Sequence, residues 1–470
     1  MSFTSLSFLV FLPIVFALYW ALRHHLRWQN ALIVLASYVF YGWWDWRFLL
    51  LIALTTTASY ACGLVIERCE GRESWRRALS AANICLNLGI LGLFKYFDFF
   101  SENFAALLRT FGLHADALTL HLILPVGISF YTFQALSYTI DVYCRRLPAT
   151  RDVLAFFAYI SFFPQLVAGP IERATHLLPQ MLHARTFNYP AAVDGLRQML
   201  WGFCKKMLVA DSCALAVDII WQSPAEQSAL ALVVGAFLFA IQIYGDFSGY
   251  SDIAVGCARL FGISLMQNFR TPYFASSITD FWRRWHISLM TWLRDYVYIP
   301  LGGNRCSRAR QLRNTFTVFL LSGLWHGAAW TFILWGLYHA VLVCLEKTRR
   351  SILHFPFSIL HFPSSFLLVT IGWIIFRAPD LSALGAYLAG LTHLSTLTAV
   401  SSLTMGKQAL LWSAALLLIE WLQRHRSHAL DFPARGLLRH RSLRWAIYYA
   451  LLALLLFCHA EQHTFIYFQF

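Results

Sequence analysis

The chain has 470 residues, of which 59% are hydrophobic, 17% aromatic and only 13% charged, about half the ~25% charge of an ordinary soluble domain. A soluble fold cannot hide that much apolar surface, and long apolar runs recur from Phe8 to Cys458. The composition therefore describes a polytopic membrane protein and excludes disorder, a collagen-like fibre and a secreted disulfide scaffold. The formal net charge of +14 reads first as membrane topology rather than nucleic-acid binding, because Lys and Arg collect in cytoplasmic loops.

Taken in chain order, windows of about 20 apolar residues predict membrane helices near 5–22, 30–45, 47–66, 78–97, 119–143, 152–170, 195–221, 228–262, 313–346, 364–377, 407–423 and 444–460. The first, Leu6 to Leu22, has no basic stretch before it and no small-residue cleavage site after it, so it reads as a retained span rather than a signal peptide. At ~1.5 Å rise per residue, 228–262 and 313–346 would each reach about 50 Å against ~30 Å of hydrocarbon. Each is expected to be tilted, broken or two short segments. The ten cysteines show no CxxC pair and no Cys/His metal spacing and read as buried free thiols.

Basic loops give the orientation. His24 to Arg27, Arg68 to Arg77, Arg145 to Arg151, Lys347 to Arg350 and the cluster from Arg424 to Arg444 are expected in the cytoplasm, which puts the N-terminus and Thr464 to Phe470 outside. Arg305, Arg308, Arg310 and Arg313 ask for the cytoplasmic side too. If they lie there, 313–346 begins and ends on one side, and Ser322-Gly-Leu-Trp-His-Gly327 offers the break, leaving His326 near the membrane midplane. One long tilted helix with those arginines at the interface is the alternative.

Asp280 to Tyr298 mixes aromatics with charge and cannot span. Thr279 or Asp280 is expected to cap its start. Trp282, His286, Leu289 and Leu293 fall on one face at helical spacing, with Arg283, Arg284 and Arg294 away from it, so the segment predicts an amphipathic helix at or within the membrane boundary. No fixed repeat, low-complexity tract or long linker divides the chain, which reads as one membrane-embedded domain over 1–470.

An ionisable residue deep in a span is costly and is a functional candidate by default. His326 leads, because a neutral imidazole tolerates an apolar site and accepts a proton from a hydroxyl near neutral pH; a histidine merely bonded to a neighbouring helix is the bland alternative. His286 is second, on an apolar face, where it pairs with a carboxylate, orients a substrate or simply snorkels. Tyr244-Gly-Asp-Phe-Ser-Gly-Tyr-Ser-Asp252 puts Asp246 and Ser248 into an apolar run, either lining a cavity or at a helix kink at Gly245 and Gly249. Gln134 either bonds a substrate or a neighbouring helix. Gly302-Gly-Asn-Arg305 is a basic turn suited to phosphates or simply a loop. Common hydrolase, ATPase and zincin motifs are absent.

Taken together, Phe281-Trp-Arg-Arg-Trp-His-Ile-Ser-Leu289, Trp292-Leu-Arg-Asp-Tyr-Val-Tyr-Ile-Pro-Leu-Gly-Gly-Asn-Arg305, Ser322-Gly-Leu-Trp-His-Gly-Ala328, Pro164-Gln-Leu-Val-Ala-Gly-Pro-Ile-Glu-Arg173, Tyr244 to Asp252 and Phe465-Ile-Tyr-Phe-Gln-Phe470 resemble the membrane-bound O-acyltransferase family. The chain is similar throughout its length to the bacterial alginate O-acetylation, AlgI-like, branch. The resemblance implies an all-α bundle of about 11–13 transmembrane or re-entrant helices around a central tunnel, with amphipathic interfacial helices. It implies His326 and His286 as catalytic. Trp325, Trp285, Asn304, Asp246, Ser248 and Gln134 are the further candidates around substrate and donor, and Arg283, Arg284, Arg294 and Arg305 either meet the donor phosphates at the cytoplasmic mouth or simply follow the positive-inside rule.

The same resemblance implies an acyl-CoA donor, acetyl-CoA, with no resident cofactor or metal. It implies a periplasmic SGNH-type protein as partner, a polysaccharide or peptidoglycan acceptor, a lipid bilayer and no nucleic acid, in the bacterial inner membrane. A covalent acyl relay through Ser288 or Ser322 is the alternative chemistry. A proton-coupled transporter using His326, Asp246 and Asp252 is the alternative class.

Overall fold

The computed structural model describes residues 1–113, 116–167, 169–353, 361–392, 401–432, 437–461 and 463–466. Ala168, Arg435 and residues 467–470, which fall in the motifs and loops above, lie outside them. All regular structure among the described residues is helical. The chain divides into two compact units, Met1–Gly195 with Ala254–Met266, and Leu196–Ile253 with Gln267–Phe470.

The first unit carries α1 (Leu6–Ala21), α2 (Leu26–Gly42), α3 (Arg47–Arg68), α4 (Glu73–Lys95), α5 (Phe97–Thr110), α6 (Ile128–Tyr143), α7 (Val153–Ser161), α8 (Phe163–Leu166) and α9 (Ala174–Leu182). Its polarity is inverted relative to a soluble fold. Leu6, Leu9, Val10, Ile14 and Leu18 of α1 point outward, while Gln29 and Asn30 of α2, Ser59 of α3 and Asn87 of α4 are buried. The Asn83 amide donates to the Thr139 hydroxyl at 2.7 Å and the Ser59 hydroxyl at 3.2 Å, and an Arg76 guanidinium nitrogen donates to the Tyr143 carbonyl at 2.8 Å. Side chains sort this way where the surroundings are hydrocarbon and polar groups find partners only in the interior. α6 starts only at Ile128, after Gly127 at φ 74°, where a Cβ would stand 2.5 Å from the Leu166 carbonyl oxygen. The expected span over 119–143 is shorter for that reason.

α10 (Tyr189–Phe203) begins in the first unit and passes into the second at Leu196, where a π-helical stretch, Cys204–Ala210, follows it. There follow α11 (Asp211–Gln222), α12 (Ala229–Leu260), α13 (Ile278–Arg284), α14 (Ile287–Leu293), α15 (Arg308–His326), α16 (Trp330–Leu353), α17 (His361–Arg377), α18 (Leu381–Thr392), α19 (Ser401–Leu422) and α20 (Arg441–Phe457). Helices α3, α4 and α12 are long and apolar enough to cross a membrane. Short α5, α9 and α18 were not expected from the hydropathy windows.

The two over-long apolar runs resolve differently. α12 is a continuous helix of 32 residues, about 48 Å long, so the polar stretch Tyr244–Asp252 does not break it. Gly249 instead permits close packing: its Cβ would stand 2.8 Å from the Gly202 carbonyl oxygen. The 313–346 run does break. α15 ends at His326, Gly327 is extended, and α16 returns packed along α15, so the single tilted helix is excluded. Glycines make this hairpin close. A Cβ on Gly323 would lie 2.3 Å from the Phe332 carbonyl oxygen, and one on Gly336 2.4 Å from that of Phe319.

The amphipathic helix expected over 280–298 is three pieces, α13, α14 and a π-helical Arg294–Tyr298. Its start is capped by Ser277, whose hydroxyl accepts the Asp280 N–H, rather than by Thr279 or Asp280. All ten cysteines are free, yet only Cys204, Cys213, Cys257 and Cys344 are buried, while Cys85 and Cys144 are exposed.

Candidate active site

The site lies in the second unit, where two Trp-His pairs meet. His286 occupies the break between α13 and α14 at φ 43° and ψ 53°, a left-handed conformation costing about 1–3 kcal/mol for a residue with a Cβ. Neighbouring backbone holds it there. Residues 268–270 run alongside: the Ile287 N–H donates to the Asn268 carbonyl at 2.9 Å, and the Arg270 N–H donates to the Arg284 carbonyl at 3.0 Å. The Ser288 hydroxyl donates to the Asn268 side-chain oxygen at 2.6 Å. The turn aims the buried His286 ring at Phe247, 4.7 Å away, and at Trp325, 5.4 Å away.

His326 is the last residue of α15, and the chain turns extended at Gly327, a position with no room for a side chain: a Cβ would stand 2.1 Å from the Phe332 ring. The His326 ring is buried among Trp325 at 5.0 Å, Trp335 at 5.1 Å and Phe376 at 5.2 Å, and its centroid lies 6.4 Å from that of His286. Two imidazoles at this separation suit one reacting centre between them. Trp325 touches both histidines. Trp285 turns the other way, against Trp373 at 4.8 Å and Phe269 at 5.0 Å, and so supports the turn from behind.

A cavity of about 490 Å³ opens next to Trp282 and Ile287, and neither His286 nor His326 is in its lining. Arg283, Lys347 and Arg294, the last paired with Asp295 at 2.6 Å, lie in its lining, Asn304, Tyr298 and Thr315 add neutral donors and acceptors, and Trp282, Val318 and Phe319 form an apolar wall. Lys347 donates to the Thr315 hydroxyl at 3.0 Å, and Tyr298 donates to the Asn304 side-chain oxygen at 2.7 Å. Phosphate oxygens fit such a basic, donor-rich mouth. Arg284 instead bonds Asp280 at 3.0 Å, and Arg305 is exposed and outside the lining.

The remaining candidates lie elsewhere. Asp246 is ion-paired with Lys206 at 2.9 Å and accepts the Ile466 N–H at 2.7 Å. Lys206 also donates to Asp211 at 2.7 Å and to the His463 carbonyl at 3.0 Å, and Lys205 pairs with Asp252. These pairs fix the 463–466 segment, whose Phe465 packs 4.2 Å from Tyr250. Ser248 is buried, and its hydroxyl has no hydrogen-bond partner among the described residues. Gln134 belongs to the first unit; its backbone carbonyl accepts from the Ser137 and Tyr159 hydroxyls, and its side-chain nitrogen has no partner among the described residues.

Asn268, Lys205, Lys206, Glu420 and His339 were not read as site residues. Glu420 accepts the Tyr244 hydroxyl at 2.7 Å, beside the aromatic stack that holds Trp285. A buried ionisable residue in an apolar run was the available signal for His339 and Glu420. Nothing local marks Asn268.

A fold that is all-helical among the described residues, with outward apolar faces and a buried histidine pair beside a basic cavity, is that of a membrane enzyme. The sequence model of the membrane-bound O-acyltransferase family matches residues 144–378, and the chain belongs to that family, in its AlgI-like branch; it is an O-acyltransferase. It is 42% identical over 386 residues, 81% of this chain and 73% of the relative, to a probable alginate O-acetylase AlgI of Pseudomonas aeruginosa. A peptidoglycan O-acetyltransferase of Helicobacter pylori is 34% identical over 426 residues, covering 83% of this chain and 80% of its own. A teichoic acid D-alanyltransferase of Bacillus subtilis is 30% identical over 235 residues, 47% of this chain and 59% of its own.

Proposed function

We propose that this chain, one multi-pass acyltransferase domain of a bacterial inner membrane with its catalytic core about 119–346, carries acetyl groups from cytoplasmic acetyl-CoA toward hydroxyls of an extracytoplasmic polysaccharide such as alginate. A periplasmic SGNH-type protein receives the group on the far side. The observation that carries the reading is the buried pair of histidines, 6.4 Å apart, beside a cavity with three cationic side chains. The basic end of the α15–α16 hairpin faces the cytoplasm by the positive-inside rule, so the phosphates of the donor sit at Arg283, Arg294 and Lys347. The alginate O-acetylase and peptidoglycan O-acetyltransferase relatives favour an acetyl group, and the higher identity to the alginate kind favours an exopolysaccharide over peptidoglycan as acceptor.

In this mechanism His326 takes the proton of the acceptor hydroxyl as its oxygen attacks the thioester carbonyl carbon. The tetrahedral centre collapses with cleavage of the C–S bond, and the leaving thiolate takes the proton back from the His326 imidazolium as free CoA. His286, held by its turn, orients the acceptor or stabilises the developing charge. Such general base catalysis contributes about 10²- to 10⁴-fold.

The test uses purified wild type and His326→Ala in detergent with radiolabelled acetyl-CoA, the periplasmic partner fraction, and alginate or peptidoglycan as final acceptor. Release of CoA with label in alginate, lowered by about 10²- to 10⁴-fold in a folded His326→Ala, is the expected result. Equal turnover by both proteins would remove His326 from the mechanism. Label in peptidoglycan instead would replace the acceptor.

A further inference from the structure

His339 is a third histidine in this aromatic cluster, and the mechanism leaves it unused. It sits on α16, fully buried, and neither ring nitrogen has a hydrogen-bond partner among the described residues. Buried polar atoms are normally paired, and an unpaired one is costly to keep unless a ligand or water completes it. His339 is not alone. The indole nitrogens of Trp282 and Trp335 also have no partner among the described residues.

These groups stand together. His339 meets Trp282 edge-on at 4.9 Å and Trp335 at 5.0 Å, with Phe319 at 6.4 Å. Trp282 and Phe319 are also the apolar wall of the basic cavity. Trp335 lies 5.1 Å from His326. His339 therefore lies one ring behind the cavity wall and one ring from His326. Gly372 of α17 closes off the Nε2 edge, where a Cβ would stand 2.6 Å from that nitrogen, so a ligand meets His339 at Nδ1, beside the Trp282 indole N–H.

A neutral imidazole offers one donor and one acceptor, and an indole N–H offers a donor. A secondary amide presents the complementary pair, one C=O and one N–H. Resting on the donor reading above, we infer that His339 and Trp282 form an inner subsite that binds the amide-bearing arm of the thioester donor between the basic mouth and His326. The Trp282 indole closes the subsite in this structure, and it turns aside as the arm enters.

Steady-state kinetics with three thioesters tests this: acetyl-CoA, acetyl-pantetheine, which keeps the amides without the nucleotide, and S-ethyl thioacetate, which has neither. For His339→Phe we expect KM to rise about tenfold for the first two, the size of one or two lost hydrogen bonds, with kcat within about twofold. KM for S-ethyl thioacetate stays unchanged, and His339→Gln, which keeps a donor and an acceptor, recovers most of the loss. Arg294→Ala separates the mouth from the arm, raising KM for acetyl-CoA alone. Should His339→Phe not fold, Trp282→Phe removes one N–H while keeping a ring and gives the same readout. Unchanged KM for acetyl-pantetheine, or an equal loss with all three thioesters, overturns the subsite. If wild type turns over no thioester, the donor reading itself fails and the subsite falls with it.

Discussion

Replacing Gly323 by alanine places a methyl carbon 2.3 Å from the Phe332 carbonyl oxygen, where ordinary contact begins near 3.4 Å. The obstacle is backbone and cannot rotate away, so α15 and α16 have to part by about 1 Å. Overpacking of this kind costs about 1–3 kcal/mol, and the better helix propensity of alanine returns up to ~1 kcal/mol. A net loss of about 1–2 kcal/mol is expected. His326 follows three residues later on the same helix, and a displacement of about 1 Å at a reacting centre costs on the order of 10²-fold in rate. Gly89 of α4 supplies the control, because nothing lies within 4 Å of its Cβ position. Gly89→Ala should leave turnover unchanged and melt at the same temperature or slightly higher. Melting in detergent and initial rates of CoA release read both effects. A Gly323→Ala protein that matches wild type in both, or two glycine variants that behave alike, would refute the argument that hairpin contact sets the place of His326.

Lys206→Met strands Asp211 and Asp246, both buried, with no cation between them; the expected loss is about 3–5 kcal/mol, partly recovered in Lys206→Met with Asp246→Leu, read by denaturation of the purified proteins. Asn268→Ala removes the acceptor of the Ser288 hydroxyl and loosens the turn at His286, so kcat should fall about 10- to 100-fold while stability drops by only about 1–2 kcal/mol; an unchanged kcat would mean the turn holds without it. His176 has its Nδ1 2.7 Å from Glu172, and this hydrogen bond raises its pKa above the usual imidazole range. Stability from that pairing is fully present below about pH 6.5 and is lost as pH rises through the raised value. A melting series from about pH 6 to 9 should show a fall that is absent in His176→Gln.

Much of this architecture was readable because hydrocarbon imposes simple rules. Two glycines in an apolar run flanked at both ends by basic residues made a break before Gly327 one of two open readings, and the hairpin of α15 and α16 decides for it over the single tilted helix. The turn at His286 was not readable, because Trp282, Leu289 and Leu293 keep helical spacing across it. The backbone there is held by residues 268–270, which no local pattern connects to it. Asp246 was read as a polar break in a helix. Its partner, Lys206, lies 40 residues earlier in a π-helical stretch, and adjacent lysines there reach carboxylates six residues apart on α12. Charge pairing across such separations turns an apparent helix breaker into an ordinary buried ion pair. His339 obeyed the same rule as His326 but lacked a tryptophan beside it in sequence and drew no notice.

The hairpin also acts as a ruler. Thr315, at the cavity, precedes His326 by eleven residues of unbroken helix, a rise of about 16 Å. Under the donor reading proposed above, a substrate that grips the cationic mouth carries its reactive carbonyl at roughly that distance from its own anionic end. A shorter molecule holds one end or reaches the other, and a longer one has to coil. Selection among activated thioesters can therefore be made by arm length as well as by charge, and lengthening α15 by one turn, about 5.4 Å, would reset the gauge without altering any group that performs the reaction.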